Sequence, residues 1–181
     1  MIYSVLYSIS ESLNQYLKNR FGFDEEKVLL SNIVNQDGSM AITEGDKVVM
    51  TLVNIQQEKI NLRPTSGSMN PPVNVNLFVL FSSYFGENNY EESLKFLSAV
   101  LSFFQANNVM NQYNTPDLDP SVEKITFEIV NQDLQGLSFL WGVLGGKYMP
   151  SILYKIKMVK IQEGNFRGET PSLSGFGSNV S

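Results

Sequence analysis

Two stretches of this chain are apolar on both faces of an extended strand, and nothing else in the sequence limits the fold as much. In Val73–Phe85, Val73, Val75 and Leu77 alternate with Asn74 and Asn76, and Phe78–Phe81 is then apolar at every position. In residues 47–56, Val48, Met50 and Leu52 fall on one face and Val49, Val53 and Ile55 on the other. Successive strand side chains point to opposite sides. Such a strand is therefore central, with cover on both faces, or is covered by a partner.

Helical spacing supplies the cover. Ile2, Val5, Leu6, Ile9, Leu13, Tyr16 and Leu17 recur at three- and four-residue steps and predict a helix over 2–20, with Ser10, Glu11, Asn14 and Lys18 turned away. Gly22 suits the left-handed position that ends it. A second helix starts at Asn88 or Asn89 as cap, with Glu91 and Glu92 complementing its positive end. Leu94, Leu97, Val100, Leu101 and Phe104 are its expected buried face, widened by Phe96 and Phe103, and Asn107-Asn108 ends it. Around these run a short strand at Val28–Val34, an Asp37-Gly38 turn, a loop at Asn61–Pro72, a short strand at Val109–Tyr113, a loop at Thr115–Pro120 and a strand through Ile125, Phe127 and Ile129.

The last third holds the only tryptophan. Asp133 caps a helix whose Leu134, Leu137, Trp141 and Leu144 share a face. Gly136 and Gly142 each cost about 1 kcal/mol inside it, which points to close packing at both. Gly145-Gly146 stops the helix, with Lys147 beside its last carbonyls. Tyr148-Met149-Pro150-Ser151 leads into a final strand that puts Ile152, Tyr154, Ile156 and Met158 on one side. Trp141 reads as a core anchor. The fold class is α+β: a mixed, mainly antiparallel sheet flanked by about three helices. One domain spans 1–162. A flexible Gly/Ser-rich tail spans 163–181 and carries Phe166 and Phe176 as possible anchors.

The chain has no cysteine and no histidine, which removes disulfides, zinc–thiolate sites, cysteine nucleophiles and the usual general base. The acid groups Asp24-Glu25-Glu26, Glu91-Glu92 and Asp117/Asp119 sit at helix starts and in loops, and nothing selects a catalytic pair. Gly142-Val-Leu-Gly145-Gly146-Lys147 follows a helix, whereas a phosphate loop precedes one. No catalytic residue, cofactor or metal ligand is therefore expected. The net charge of −5 and the scatter of the thirteen Lys and Arg residues argue against nucleic acid. Lys155, Lys157 and Lys160 are the one cluster. Only 17% of residues are charged, against about 25% in soluble domains, and an amide-rich surface is easier to desolvate at an interface. The N-terminus has no secretory pattern and no apolar run approaches the ~20 residues that span a bilayer, so a cytoplasmic protein without membrane insertion is expected.

In order and spacing, several segments together resemble the tail terminator, or cap, proteins of contractile injection systems, whose domain was long catalogued as one of unknown function. They are the N-terminal amphipathic helix, Val48–Ile55, Pro71-Pro72-Val73-Asn74-Val75-Asn76-Leu77, Tyr84, Tyr90-Glu91-Glu92-Ser93-Leu94 and Phe103-Phe104. The strongest is Leu140-Trp141-x₂-Leu144-Gly145-x₂-Tyr148-x-Pro150-Ser151-x₂-Tyr154. Similar proteins often carry a glutamate before the tryptophan helix, where this chain has Gln135 and Ser138 nearby.

The resemblance implies a phage tail-terminator-like fold and a structural, non-enzymatic role. It implies a hexameric ring at the end distal to the baseplate, seated on the last layers of inner tube and sheath and stopping their growth. The partners would be the chain itself and the sheath and tube subunits. The particle would be assembled in the bacterial cytoplasm and then released or anchored. Some related proteins carry an extra C-terminal domain, and this chain is expected to be a single-domain version. The expected interaction residues are Arg63, Pro64 and Met69 in the 61–72 loop, Lys155, Lys157 and Lys160, and Phe166 and Phe176. Trp141, Gly145, Tyr148, Pro150, Ser151 and Tyr154 form the core motif. Two alternatives stay open: an assembly chaperone or adaptor absent from the finished particle, and a small hydrolase using acids alone, which requires a deep acid-lined pocket.

Overall fold

The computed structural model describes residues 1–58, 74–86 and 88–160. The elements are α1 (Ile2–Phe21), β1 (Val28–Leu30), β2 (Lys47–Glu58), β3 (Asn74–Tyr84), α2 (Tyr90–Ala106), β4 (Val109–Asn111), β5 (Val122–Ile129), α3 (Leu134–Leu144) and β6 (Ser151–Lys160). They form one six-stranded sheet in the order β1-β2-β3-β6-β5-β4. β1 runs parallel to β2, and every other pairing is antiparallel.

The two doubly apolar segments are β2 and β3, and β3 is interior, flanked by β2 and β6. One face of the sheet carries the main core. Val5, Ile9, Leu13 and Leu17 of α1 and Phe96, Val100, Phe103 and Phe104 of α2 pack there on Leu77, Val79, Phe81, Tyr154, Ile156 and Met158. The opposite face has a smaller cluster of Ile33, Leu80, Trp141 and Leu153. Leu80 and Phe81 are adjacent in sequence, and each is buried in a different cluster.

Local chemistry fixes the ends. Gly22 takes φ 73 and its N–H donates to Lys18 O. The side-chain oxygen of Asn14 accepts from the backbone N–H of Lys27 and Val28, at 2.9 and 2.8 Å, and so ties the start of β1 to α1. Asp46 occupies the left-handed region at φ 59. Its carboxylate accepts from Gly86 N and Asn89 Nδ2. Asn89 is the N-cap residue of α2, yet its side chain makes no capping bond.

The structure corrects several expectations. In α2, Leu94 and Leu101 are 42% and 40% exposed; the inward stripe is Ser93, Phe96, Leu97, Val100, Phe103 and Phe104. The helix is covered on one side, because the larger aromatics win the contact with the sheet. Ser10 is buried and donates to Tyr7 O at 2.8 Å. The strand expected through Val34 ends at Leu30, and Val34 makes an isolated bridge to Met40. Leu118, placed in a loop, is fully buried, and Gln112 Nε2 donates to its carbonyl. Leu134 is exposed, and nothing lies within 4 Å of where a side chain on Gly142 would begin.

The margins of the sheet are short: β1 and β4 have three residues each. β2 runs on past β1, but a register irregularity falls between Leu52 and Asn54, and Asn54 Oδ1 accepts the N–H of Ile55.

Candidate assembly surface

The segment from Asp133 to Tyr154 ties both faces of the sheet together. Asp133 accepts from Gly136 N at 2.7 Å and starts α3. Trp141 is the one buried residue of the helix and packs with Ile33, Leu80 and Leu153. Tyr148 meets its ring edge-to-face at 5.8 Å, while remaining 62% exposed. Gly145 closes the helix at φ 69. Gly146 lies against Ile33 and Trp141. Pro150 O accepts from Ser83 N at 3.0 Å, which sets the register in which Ser151 opposes Ser82. Tyr154 points to the other face, against Phe81 and Phe104, and burial pushes its phenol up to about 12. The indole Nε1 of Trp141 is buried without a hydrogen-bond partner among the described residues.

Beside this segment lies an open groove of about 800 Å³, bounded by Val34, Met40, Ser83, Tyr90, Lys147 and Tyr148. Among the described residues its lining carries no carboxylate. A second hollow of about 450 Å³ along α1 has two acids, Glu11 and Asp117, beside Tyr7. Four other acids are paired with lysines: Glu25 with Lys27, Glu44 with Lys47, Glu92 with Lys95 and Glu128 with Lys157. Asp119 accepts from Ser4 Oγ and Ser121 Oγ, both at 2.6 Å, and from Ser121 N at 3.0 Å. These hydroxyls hold its carboxyl well below the usual carboxylate range.

What the surface does offer is apolar. On the outer side of α3, Phe139 is 65% and Val143 83% exposed. The residues Leu134–Leu144 include no charged side chain. Below α3, between it and β3, β5 and β6, is a gap of about 220 Å³. Lys155 and Lys157 lie on the same face of β6 as Leu153, opposite Phe78 and Asn76 of β3. Lys157 reaches Glu128 Oε2 at 3.1 Å and lowers that carboxyl, with Lys155 adding to the effect. Lys160 ends β6 in register with Val122, and its side chain lies outside the described residues, as do Arg63, Pro64, Met69, Phe166 and Phe176.

The Pvc16 N-terminal domain matches this sequence over residues 4–174. The chain belongs to the Pvc16 N-terminal domain family. Among solved structures, it is similar to the sheath/tube terminator of an extracellular contractile injection system, PVC, in the extended state, with a TM-score of 0.62 and 15% identity, covering 100% of this chain and 63% of that one. It is also similar to the tube terminating cap of the anti-feeding prophage, with a TM-score of 0.52 and 16% identity, covering 95% of this chain and 60% of that one. The chain thus spans less than two thirds of either solved chain. No curated protein matches.

Within this Pvc16 N-terminal domain, the motif residues Trp141, Gly145, Tyr148, Pro150, Ser151 and Tyr154 come together around the start of β6. The residues that sequence reasoning missed are Ile33, which meets Trp141, and the outward Leu94, Leu101, Phe139 and Val143. A signal for the last two was present: α3 is apolar around most of its circumference, the mark of a helix that something covers.

Proposed function

We propose that the chain caps the inner tube and contractile sheath of a contractile injection system, as a ring of identical copies at the end distal to the baseplate. The observation that carries this reading is the family match over residues 4–174, joined to a fold shared with a sheath/tube terminator. The role is structural. The cap satisfies the exposed surfaces of the last tube and sheath layers and presents no equivalent surface for another layer. The ring has six copies, the number that the resemblance implies. Lys155 and Lys157, the 61–72 loop with Arg63, Pro64 and Met69, Lys160, and the tail with Phe166 and Phe176 are the proposed contacts to sheath, tube and neighbouring copies. Neither nucleic acid nor a bilayer is a partner in this reading; among the described residues no helix is long and apolar enough to cross a membrane. Assembly takes place in the bacterial cytoplasm.

Electron microscopy tests it. Particles from a strain lacking the gene should show over-long or sheath-less tubes, and gold-labelled protein should mark one particle end in the parent. Sheathed particles of normal length without the protein would sink the reading. Mass spectrometry of purified particles separates a cap, which stays, from an assembly chaperone, which leaves.

A further inference from the structure

Of the large exposed apolar side chains, Met40, Tyr90 and Tyr148 line one concavity, the open groove of about 800 Å³ beside the tryptophan segment. A volume of that size falls in the range of ~300–1,000 Å³ that ligand sites occupy. The three come from separate parts of the chain, each fixed locally. Met40 is bridged to Val34, and Asn35 N donates to Ser39 O at 2.8 Å to close the turn between them. Tyr90 opens α2. Tyr148 rests edge-to-face on Trp141. Met149 adds a second thioether to the lining, and methionine adapts to differing shapes.

One margin of the groove, from Gly146 to Met149, offers backbone. Among the described residues, no N–H or C=O group of this stretch is hydrogen-bonded. An extended chain satisfies such groups with its own main chain, as in strand addition. Lys147 is the single charged residue of the described lining, and no carboxylate among the described residues pairs with it. We propose that the groove binds an extended segment of a partner protein in which one Asp or Glu lies among apolar or aromatic residues. The segment's main chain pairs with Gly146–Met149, its acid meets Lys147, and its flanking side chains seat on Met40, Tyr90 and Tyr148. Each feature rejects a different occupant. A basic segment sets its cations against Lys147. A helix keeps its N–H and C=O groups to itself and leaves Gly146–Met149 unsatisfied. A small anion leaves the tyrosines in water. This recognition is independent of ring closure and of the cap reading.

Selection of phage-displayed short linear peptides on the immobilised full chain tests it. The enriched peptides should carry an Asp or Glu flanked by Phe, Tyr, Leu or Met. One of them, synthesised, should lose about tenfold in affinity with Lys147→Gln, the worth of one charge-assisted hydrogen bond. Replacing its acid by the amide should cost the same, with no further loss when both changes are combined, and Lys147→Arg should restore binding. Tyr148→Ala and N-methylation of the peptide's central amides should each weaken it. Lys147 is exposed, so the thermal melt of Lys147→Gln should match the parent's. Enrichment of basic peptides, of acid-free peptides or of none overturns the proposal, as does binding that ignores Lys147→Gln. Competition by a synthetic peptide of residues 161–181 would give the groove to the chain's own tail. Loss of self-association on adding the selected peptide would give it to a second copy. Either result overturns the partner.

Discussion

Gly146 stands so close to Ile33 that a Cβ built on it would lie 2.9 Å from Ile33 Cγ2. This contact joins the turn after α3 to the segment after β1, two parts of the chain that no strand pairing connects. Gly146→Ala has to push Ile33 or the turn aside. Overpacking of this kind costs about 1–3 kcal/mol. In a chain of this size it should lower Tm by a few degrees per kcal/mol. Differential scanning calorimetry of Gly146→Ala beside Gly86→Ala, where nothing lies within 4 Å, checks it. Equal melting temperatures for the two would contradict the contact.

Trp141 is buried, yet its Nε1 has no partner among the described residues. An unsatisfied buried N–H carries a penalty of about 1–3 kcal/mol. Trp141→Phe removes that donor along with part of the ring, so the two effects offset and the cost should stay under ~1.5 kcal/mol, in the range of tolerated apolar exchanges. Trp141→Ala empties the site and should cost about 3–5 kcal/mol. Urea unfolding followed by far-ultraviolet circular dichroism measures both. A Phe variant as unstable as the Ala variant would show that Nε1 is bonded after all.

Gly142 sits inside α3 with open space around its Cβ position. On a helical backbone with that much room, Gly142→Ala should stabilise the chain by about 1 kcal/mol. Thermal melts of the variant beside the parent measure it. A variant that melts no higher than the parent would show that something packs against the glycine.

Asp119 gives the acid limb of the stability curve. Its carboxyl is held down in the folded chain by the hydroxyls of Ser121 and Ser4 and the backbone N–H of Ser121, while in the unfolded chain an aspartate titrates near ~3.9. A depressed folded value means that the contribution is fully present above ~4 and is lost as pH falls from there toward the folded value. Asp119→Asn should therefore be less stable than the parent at pH 7, and the two should converge in acid. Denaturation midpoints collected between pH 7 and pH 2 test it. A constant gap across that range would assign the loss to geometry rather than ionisation.

The sequence spoke clearly where a residue's type leaves one outcome. Gly22 and Gly145 end their helices in the left-handed region, at φ 73 and φ 69. Asp133 caps α3, and the doubly apolar run Phe78–Phe81 lies inside β3 between two covered faces. It spoke ambiguously where several apolar residues compete for one side of a helix. Seven apolar residues of α2 could not all face the sheet, and the phenylalanines displaced Leu94 and Leu101. The parallel pairing of β1 with β2 and the burial of Leu118 depend on contacts between distant parts of the chain, which periodicity does not encode. At the candidate surface Trp141 and Tyr154 are buried, as apolar and aromatic residues in that pattern suggest, whereas Tyr148 of the same motif stays 62% exposed. The outward Phe139 and Val143 were overlooked because attention to Trp141 treated α3 as a helix with a single face.

The narrow margins of the sheet have their own consequence. Its two edge strands are three residues long, and the free length of β2 is interrupted by its register irregularity and by the Asn54 carboxamide over Ile55 N–H. Among the described residues, an edge so broken offers a passing strand only short ladders of free N–H and C=O groups. That part of the sheet is a poor seed for cross-β fibres.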